Sequence, residues 1–488
     1  MDVRSYWERM EQFRLSRNRC KRYCYGDQWS DRVMVDGQWM REEQYIRSQG
    51  SEPLKNNLIR RLVKQVIGLY RAERQQLTGA AALPDISKEM KSMLERVRRD
   101  NCADELDARM LEEFLISGLA VQRKTGGWRD GRLGCWTDNV RPDLFFVNSD
   151  MCDVRGWDVE CVGEIHDMRF EALCEEFARS ADDIHRLAAI YSQTDYRGRV
   201  QVMLGDFGRS TALAPTFFFP ASARHCRVIE VWHRERRPGF LCHHRDQGAL
   251  SWVDALAPDT DGASASDRLW TVCEEWRCTF LSPFGDVLAE RVSPYLHGSH
   301  PYVFKAYPFI DGEIHSFVAD VIDQQRYANR LITLYDWVMR SSAKGVLLVP
   351  EECIPDGYSL ADVADEWARF NGVIAVKTRN GAMMPQQIAA NAVNIGINEL
   401  LQTQLNLMED ISGVTGALQG KSSNTGMSGT LYEQQTHNAT LSQLDMLDSF
   451  RQFIQAGENK DLDNIRQFCQ PNSYIQSPAN FAVSDDKT

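Results

Sequence analysis

Two groups of residues in this 488-residue chain have the side-chain types for chemistry. The first is GALQGKS, Gly416 to Ser422, whose glycines, lysine and serine suggest a loop that cradles phosphate. A Walker loop, GxxxxGK[ST], wraps backbone amides around a nucleotide and joins a buried strand to a helix. Here three residues, Ala417, Leu418 and Gln419, separate the glycines, where the motif needs four. The segment before it has a helical pattern, so register and context both fail. What remains is a deformable polar loop with one lysine. The second group is Cys226, His233, Cys242, His243, His244, Cys273 and Cys278. A structural zinc site pairs its ligands at short spacing, as in CxxC, and no CxxC occurs. Strand pairing could still gather these residues, but the expectation is no metal and no cofactor, with these side chains on sheet faces and in turns. Cys20 and Cys24, four apart, fit one helix face as buried thiols. There is no GxSxG or HExxH, and the carboxylates fall in no catalytic spacing. The expectation is not an enzyme.

Composition narrows the class further. The chain is 43% hydrophobic and 25% charged, ordinary for a folded protein, and long enough for several domains. No apolar run reaches the roughly 18 residues of a membrane span. The opening MDVRSYWERMEQFRLSRNRCKRY has no apolar signal-peptide core, so the expectation is assembly in a cytoplasm with the 13 cysteines reduced. The net charge of -12 argues against a sequence-specific DNA binder, which is more often basic.

The elements that would position such residues follow from periodicity. Residues 1–140 read mostly as helix, with a basic first segment and a strong amphipathic run through Leu54, Leu58, Leu62, Val66 and Leu69. A further helical run is expected to continue through EFLISGLAVQRK to Gly126 and Gly127. Residues 141–312 read as a β-rich lobe, with LFFVN, RVIEVWHRE and LWTVCEEWRCTFL as strands and one helix at 170–193. From Ile314 to about Ser342 one apolar stripe persists for about 43 Å at about 1.5 Å per residue, opposite Asp320, Asp323, Gln324, Asn329 and Asp336. GVLLVP, SLADVADEWARF and GVIAVK then form a small strand–helix–strand unit at roughly 345–378. A second helix carries Ile397, Leu400, Leu401, Leu405 and Met408, and a last one runs from about Thr430 to Phe468. The fold class is therefore α+β: helix out, small module, helix back, polar loop, long helix.

The order of these features resembles the tailed-bacteriophage portal family, the podovirus-like head-to-tail connectors in particular. The matching stretches are YGDQWSD at 25–31 with SEPLKNNLIRRLVKQVIG at 51–68, VRPDLFFVNSDMCDVRGWD at 140–158, HPYVFKAYPFIDGEIHSFVADVIDQQRYANRL at 300–331, the unit at 345–378, and MEDISGVTGALQG running into SGTLYEQQ. The resemblance implies a portal fold. It has a wing (1–140 helical, 141–312 β-rich), a first stem helix (313–343), a clip (344–392) and a second stem helix (393–412). A tunnel loop (413–429), a long helix on the wing and crown side (430–470) and a tail (471–488) complete it. The crown is expected to be reduced or absent.

The same resemblance implies a ring, usually of twelve copies, at one vertex of the virion. Double-stranded DNA enters through it, driven by terminase, and later leaves by it. It would contact the major capsid protein, scaffold and head–tail adaptor, with no membrane and no cofactor. The implied tunnel-loop residues are Gln419, Lys421, Ser422, Ser423, Asn424 and Thr425. The stem's channel face would carry Asp320, Asp323, Gln324, Asp336 and Glu399, and the clip tip Lys377, Arg379 and Asn380. Two other classes compete. A head–tail adaptor would be much shorter and lack the helix–module–helix order. An enzyme with unfamiliar motifs would show nuclease or ATPase activity when pure.

Overall fold

The structure is a computed structural model. It describes residues 2–77, 87–129, 131–148, 150–191, 216–220, 222, 224–244, 249–254, 268–344, 346–350, 353–368, 374, 376–377, 386–388, 396–414 and 429–469. The chain forms two compact units. One comprises Met1–Cys24, Arg60–Asp320 and Gly413–Thr488, the other Tyr25–Ile59 and Val321–Ser412.

The larger unit is built on two antiparallel sheets, with a short hairpin of β12 (Phe309–Ile310) and β13 (Glu313–Ile314). One has strand order β11 (Tyr302–Ala306), β3 (Leu119–Arg129), β4 (Arg132–Asn139). The other runs β10 (Val287–Val292), β9 (Arg268–Leu281), β7 (His225–His244), β6 (Cys161–Arg169), β5 (Phe145–Val147), and β8 (Ala249–Asp254) also pairs with β7. Side chains on a strand alternate between faces, and β7 buries both. On one face Val228 packs with Leu173, Phe177 and Leu187, while Trp232 joins Val121 and Tyr302 of the other sheet. On the other face Ile229 and Val231 meet Val3 and Trp7 of α1 (Val3–Arg9). Further along, β7 and β9 carry cross-strand ion pairs instead, Arg236 with Glu274 at 3.0 Å and Arg277 with Glu235 at 2.6 Å.

Helices complete this unit: α2 (Glu11–Cys24), most of α4 (Leu58–Leu77), α5 (Lys88–Asp100), α6 (Ala103–Ser117), α7 (Phe170–Phe177), α8 (Ala181–Ile190) and α12 (Gly429–Phe468). Cys20 and Cys24 of α2 are both buried, as expected. The helix α12 has the extent read from the sequence, and it packs on β3, β4, β11 and α5. Phe468 lies so close to β3 that a Cβ on Gly126 would sit 2.0 Å from its ring, which is why glycine stands there.

Three sequence expectations change here. The helix expected to reach Gly126 stops at Ser117. Gly118 turns with φ +78, and its absent Cβ would lie 1.6 Å from the His315 carbonyl oxygen. The chain therefore leaves as a strand, and LAVQRK pairs with β11 and β4. Residues 1–140 thus include two hairpins, at 32–41 and at 119–139, as well as helices. The expected helix at 170–193 is two, because Ser180 caps α8 with its hydroxyl on the Asp183 amide and Asp183 answers on the Ser180 amide. The third change lies in the smaller unit. There β14 (Val346–Leu348) pairs antiparallel with β15 (Gln386–Ile388), beyond the expected GVIAVK strand. The described residues of that segment, 374 and 376–377, are not in a strand.

The smaller unit also holds the hairpin β1 (Arg32–Val35) and β2 (Gln38–Arg41), α3 (Glu42–Ser48), all of α9 (Phe317–Lys344) beyond Asp320, α10 (Leu360–Ala368) and α11 (Ile397–Ser412).

Candidate functional site

The helix α9 is fixed within the smaller unit by a buried polar row at helical spacing: Gln325, Asn329 and Thr333. Gln325 Oε1 accepts from the Leu58 and Ile59 amides, at 3.0 and 3.3 Å, and so caps the first turn of α4. Its Nε2 donates to the Asn56 carbonyl at 2.7 Å and to Asn329 Oδ1 at 3.0 Å. Asn329 Oδ1 also accepts from the Asn56 amide, and its Nδ2 donates to Gln28. Thr333 accepts from the Leu54 amide. The Trp29 indole donates to the Leu54 carbonyl at 3.1 Å, which explains the tryptophan of YGDQWSD. Buried Glu42 receives Arg326 at 3.2 Å and the Arg330 guanidinium Nε at 2.8 Å.

This row corrects one expectation. Asn329, assigned to the solvated face with Asp320, Asp323, Gln324 and Asp336, is fully buried. Its polar type reflects the backbone groups it satisfies rather than water. Of the others, Asp320 and Asp323 are exposed, while Gln324 and Asp336 are half-buried. Burial pushes the Asp320 carboxyl upward, against the pull of His315. Glu399 is exposed in the first turn of α11.

Several outward residues of α9 and α11 are apolar. Leu334, Tyr335, Trp337 and Met339 of α9 and Leu400, Leu407 and Ile411 of α11 are each 40–50% exposed. Their spacings of three, four and seven residues place them in rows along the helices. Lys377 is exposed, its ammonium 2.5 Å from Asp356 and its amide on the buried Cys353 carbonyl at 2.9 Å. Arg379, Asn380, Gln419, Lys421, Ser422, Ser423, Asn424 and Thr425 lie outside the described residues.

The cysteine and histidine set is not gathered by strand pairing. Cys226 stands opposite Met168, Trp232 opposite Cys278, and Arg237 opposite Cys273. Among the described residues, one group of possible metal ligands does converge: Glu164, His166 and Glu230. Sequence spacing gave no sign of Glu230, which strand register brings beside β6. Arg123 stands in the same group, 3.2 Å from Glu230 and 3.7 Å from Glu164, and its fixed positive charge opposes a cation there. His166 Nε2 is 2.7 Å from Glu230, Trp232 Nε1 donates to Glu230 at 2.7 Å, and Tyr302 OH donates to Glu164 at 3.0 Å. Burial raises the Glu164 carboxyl. For Glu230 burial is outweighed by His166 and Arg123, and the carboxyl falls to about 2. For His166 burial is outweighed by the two carboxylates, and the imidazole is raised. The group is an ion-pair network joining the two sheets.

A mixed α+β chain whose long helices turn apolar rows outward is the kind of subunit that is completed by assembly. The profile of the phage P22-like portal protein matches residues 2–476, nearly the whole chain, and the chain belongs to that family. It is a structural, non-enzymatic protein: the portal at a capsid vertex through which phage DNA is packaged and ejected. Membership implies an oligomeric ring that meets DNA and terminase. Comparison with curated proteins finds no match. Among the described residues, no helix is long and apolar enough to cross a membrane.

Proposed function

We propose that α9 and α11 are the two stem helices of a twelve-membered ring and that residues 344–392 form its clip. Residues 413–429 form the loop at the narrowest part of the bore, and the remainder forms the wing. The observation that supports this is the pair of exposed apolar rows on α9 and α11. A closed ring needs a heterologous interface repeated around an axis, and apolar rows along paired helices suit one. About half of each such side chain is already covered, so burying the rest contributes on the order of 1 kcal/mol each. The clip, with Lys377, Arg379 and Asn380, docks terminase and later the head–tail adaptor. The wing faces the major capsid protein and scaffold. Asp320, Asp323, Gln324, Asp336 and Glu399 give the bore polar, mostly acidic walls. Gln419, Lys421, Ser422, Ser423, Asn424 and Thr425 touch the duplex without holding it.

The test is the mass and shape of the purified chain, by light scattering and negative-stain microscopy. The expected particle has a central hole and a mass near twelve times 55.8 kDa. A Trp337→Glu, Leu407→Glu double variant is expected to keep its helical content and lose the ring. Rings of normal yield from that variant would remove the stem assignment. Deleting 419–426 is expected to leave rings intact while impairing packaging or DNA retention, and normal packaging would remove the loop assignment.

A further inference from the structure

The sulfurs of Cys135 and Cys469 lie 3.7 Å apart. Cys135 is in β4 and buried. Cys469 directly follows α12 and is half-buried. The two are 334 positions apart in sequence and meet because the end of α12 returns to the hairpin of β3 and β4. Leu94, Leu462 and Ile465 pack around Cys135, with Cys469 at the cluster's margin. The thiols share a hydrogen bond. It lowers the Cys469 thiol, helped by the charge of Arg96, and with burial it raises Cys135. One sulfur is thus prepared as a nucleophile, and its neighbour stands ready to resolve the product. A disulfide requires sulfurs about 2.05 Å apart, so they must close by about 1.7 Å. Cys469, one residue past the end of α12 and half-buried, supplies that movement.

We propose that Cys135 and Cys469 form an oxidation site, a reversible intramolecular disulfide that fastens the end of α12 to the β3–β4 hairpin. The oxidant is a low-molecular-weight disulfide. The Cys469 thiolate attacks one of its sulfurs, forming a mixed disulfide and releasing one small thiolate, which takes up the proton Cys469 gave up. Cys135 then loses its proton and attacks the Cys469 sulfur. The protein disulfide forms, and the second small thiolate departs and takes up that proton. Two electrons pass from the protein to the small disulfide. One protein dithiol and one disulfide become one protein disulfide and two thiols. In a reducing cytoplasm the pair stays open, and a particle released into an oxidising medium closes it.

The test uses the full chain, purified under reduction, incubated with oxidised glutathione, then unfolded in the presence of a maleimide and digested. The expected product is one cross-linked peptide pair containing Cys135 and Cys469, lighter than the two peptides by two hydrogens. The thermal midpoint is expected to rise on oxidation and return with dithiothreitol. Cys469→Ser, a change at the half-buried helix end, is expected to abolish both effects while leaving the reduced midpoint in place. The proposal would be overturned by both thiols labelled after oxidation, stable glutathione on Cys469, or an oxidation shift that persists in Cys469→Ser. Cross-links joining either cysteine to a different one would do the same.

Discussion

Gln325→Leu isolates the contribution of the buried polar row. Leucine nearly fills the space of glutamine and offers no hydrogen bond, so the change strands partners without opening a large cavity. The partners are the Leu58 and Ile59 amides, the Asn56 carbonyl and Asn329 Oδ1. Asn329 Oδ1 keeps the Asn56 amide at 3.2 Å, and the Leu58 amide keeps the Asn56 carbonyl at 3.0 Å, so the buried Ile59 amide is the group that loses its bond outright. A stranded buried group costs about 1–3 kcal/mol, which sets the size of the local loss. The assay is amide hydrogen exchange read by mass spectrometry on peptides covering residues 53–60. About 1.4 kcal/mol corresponds to a tenfold change, so protection at Ile59 should fall by about five- to a hundredfold. Gln324→Leu, on the half-buried neighbouring position, serves as the control and should change protection by less than about threefold. If Gln325→Leu exchanges like wild type, the first turn of α4 is capped by other means, and the row is not what holds α9 in its unit.

Two further outcomes follow from buried charges in the larger unit. Lys124 and Asp461 form a buried pair at 2.7 Å, and burial raises the Asp461 carboxyl despite its partner. Lys124→Met should cost about 3–5 kcal/mol by leaving that carboxylate alone, and Lys124→Met with Asp461→Leu should recover most of it, as read by urea midpoints. The Arg123, Glu164, His166 and Glu230 network should make stability depend on pH at both ends. His166 is raised in the fold, so its contribution is complete below its unfolded value and lost as pH rises through its folded one. Glu230, lowered from 4.5 to about 2, contributes above 4.5 and loses that contribution as pH falls toward 2. Glu164, raised by burial, acts in the opposite sense and relieves part of the acid loss. Thermal midpoints from about pH 6 to about pH 9 should decline in wild type, and His166→Gln should flatten that limb.

Elements with long periodicity were legible in the sequence. The stripe from Ile314 to about Ser342 became α9, which starts at Phe317, and the run from about Thr430 to Phe468 became α12. What escaped depended on long-range contacts. The one local mark of a helix end after Ser117 is Gly118, and LAVQRK beyond it suits either a helix or a strand. The decision comes from the His315 carbonyl, which lies against Gly118. Asn329 reads as solvated because asparagine usually is. Its burial depends on Gln28 and Asn56, some 300 and 270 positions away. GVIAVK has the composition of a strand, yet β14 takes Gln386–Ile388 as its partner. Glu230 joins Glu164 and His166 only through the register of β6 on β7.

A conduit differs from a binding protein in what it must avoid. Each lysine or arginine that neutralises a phosphate releases counterions and adds affinity, so a basic bore would grip the duplex it has to pass. This chain carries 68 acidic against 56 basic residues. The described basic side chains of the smaller unit are partly committed: Arg326 and Arg330 to Glu42, and Lys377 to Asp356. Meanwhile Asp320, Asp323 and Glu399 remain exposed. On the proposed reading, α9 and α11 bury their apolar rows between neighbouring copies and leave carboxylates toward the axis. Loss of Lys421 would then weaken guidance at one level of the bore, whereas replacing Asp320 and Asp323 with lysine would slow passage by adding affinity along its length.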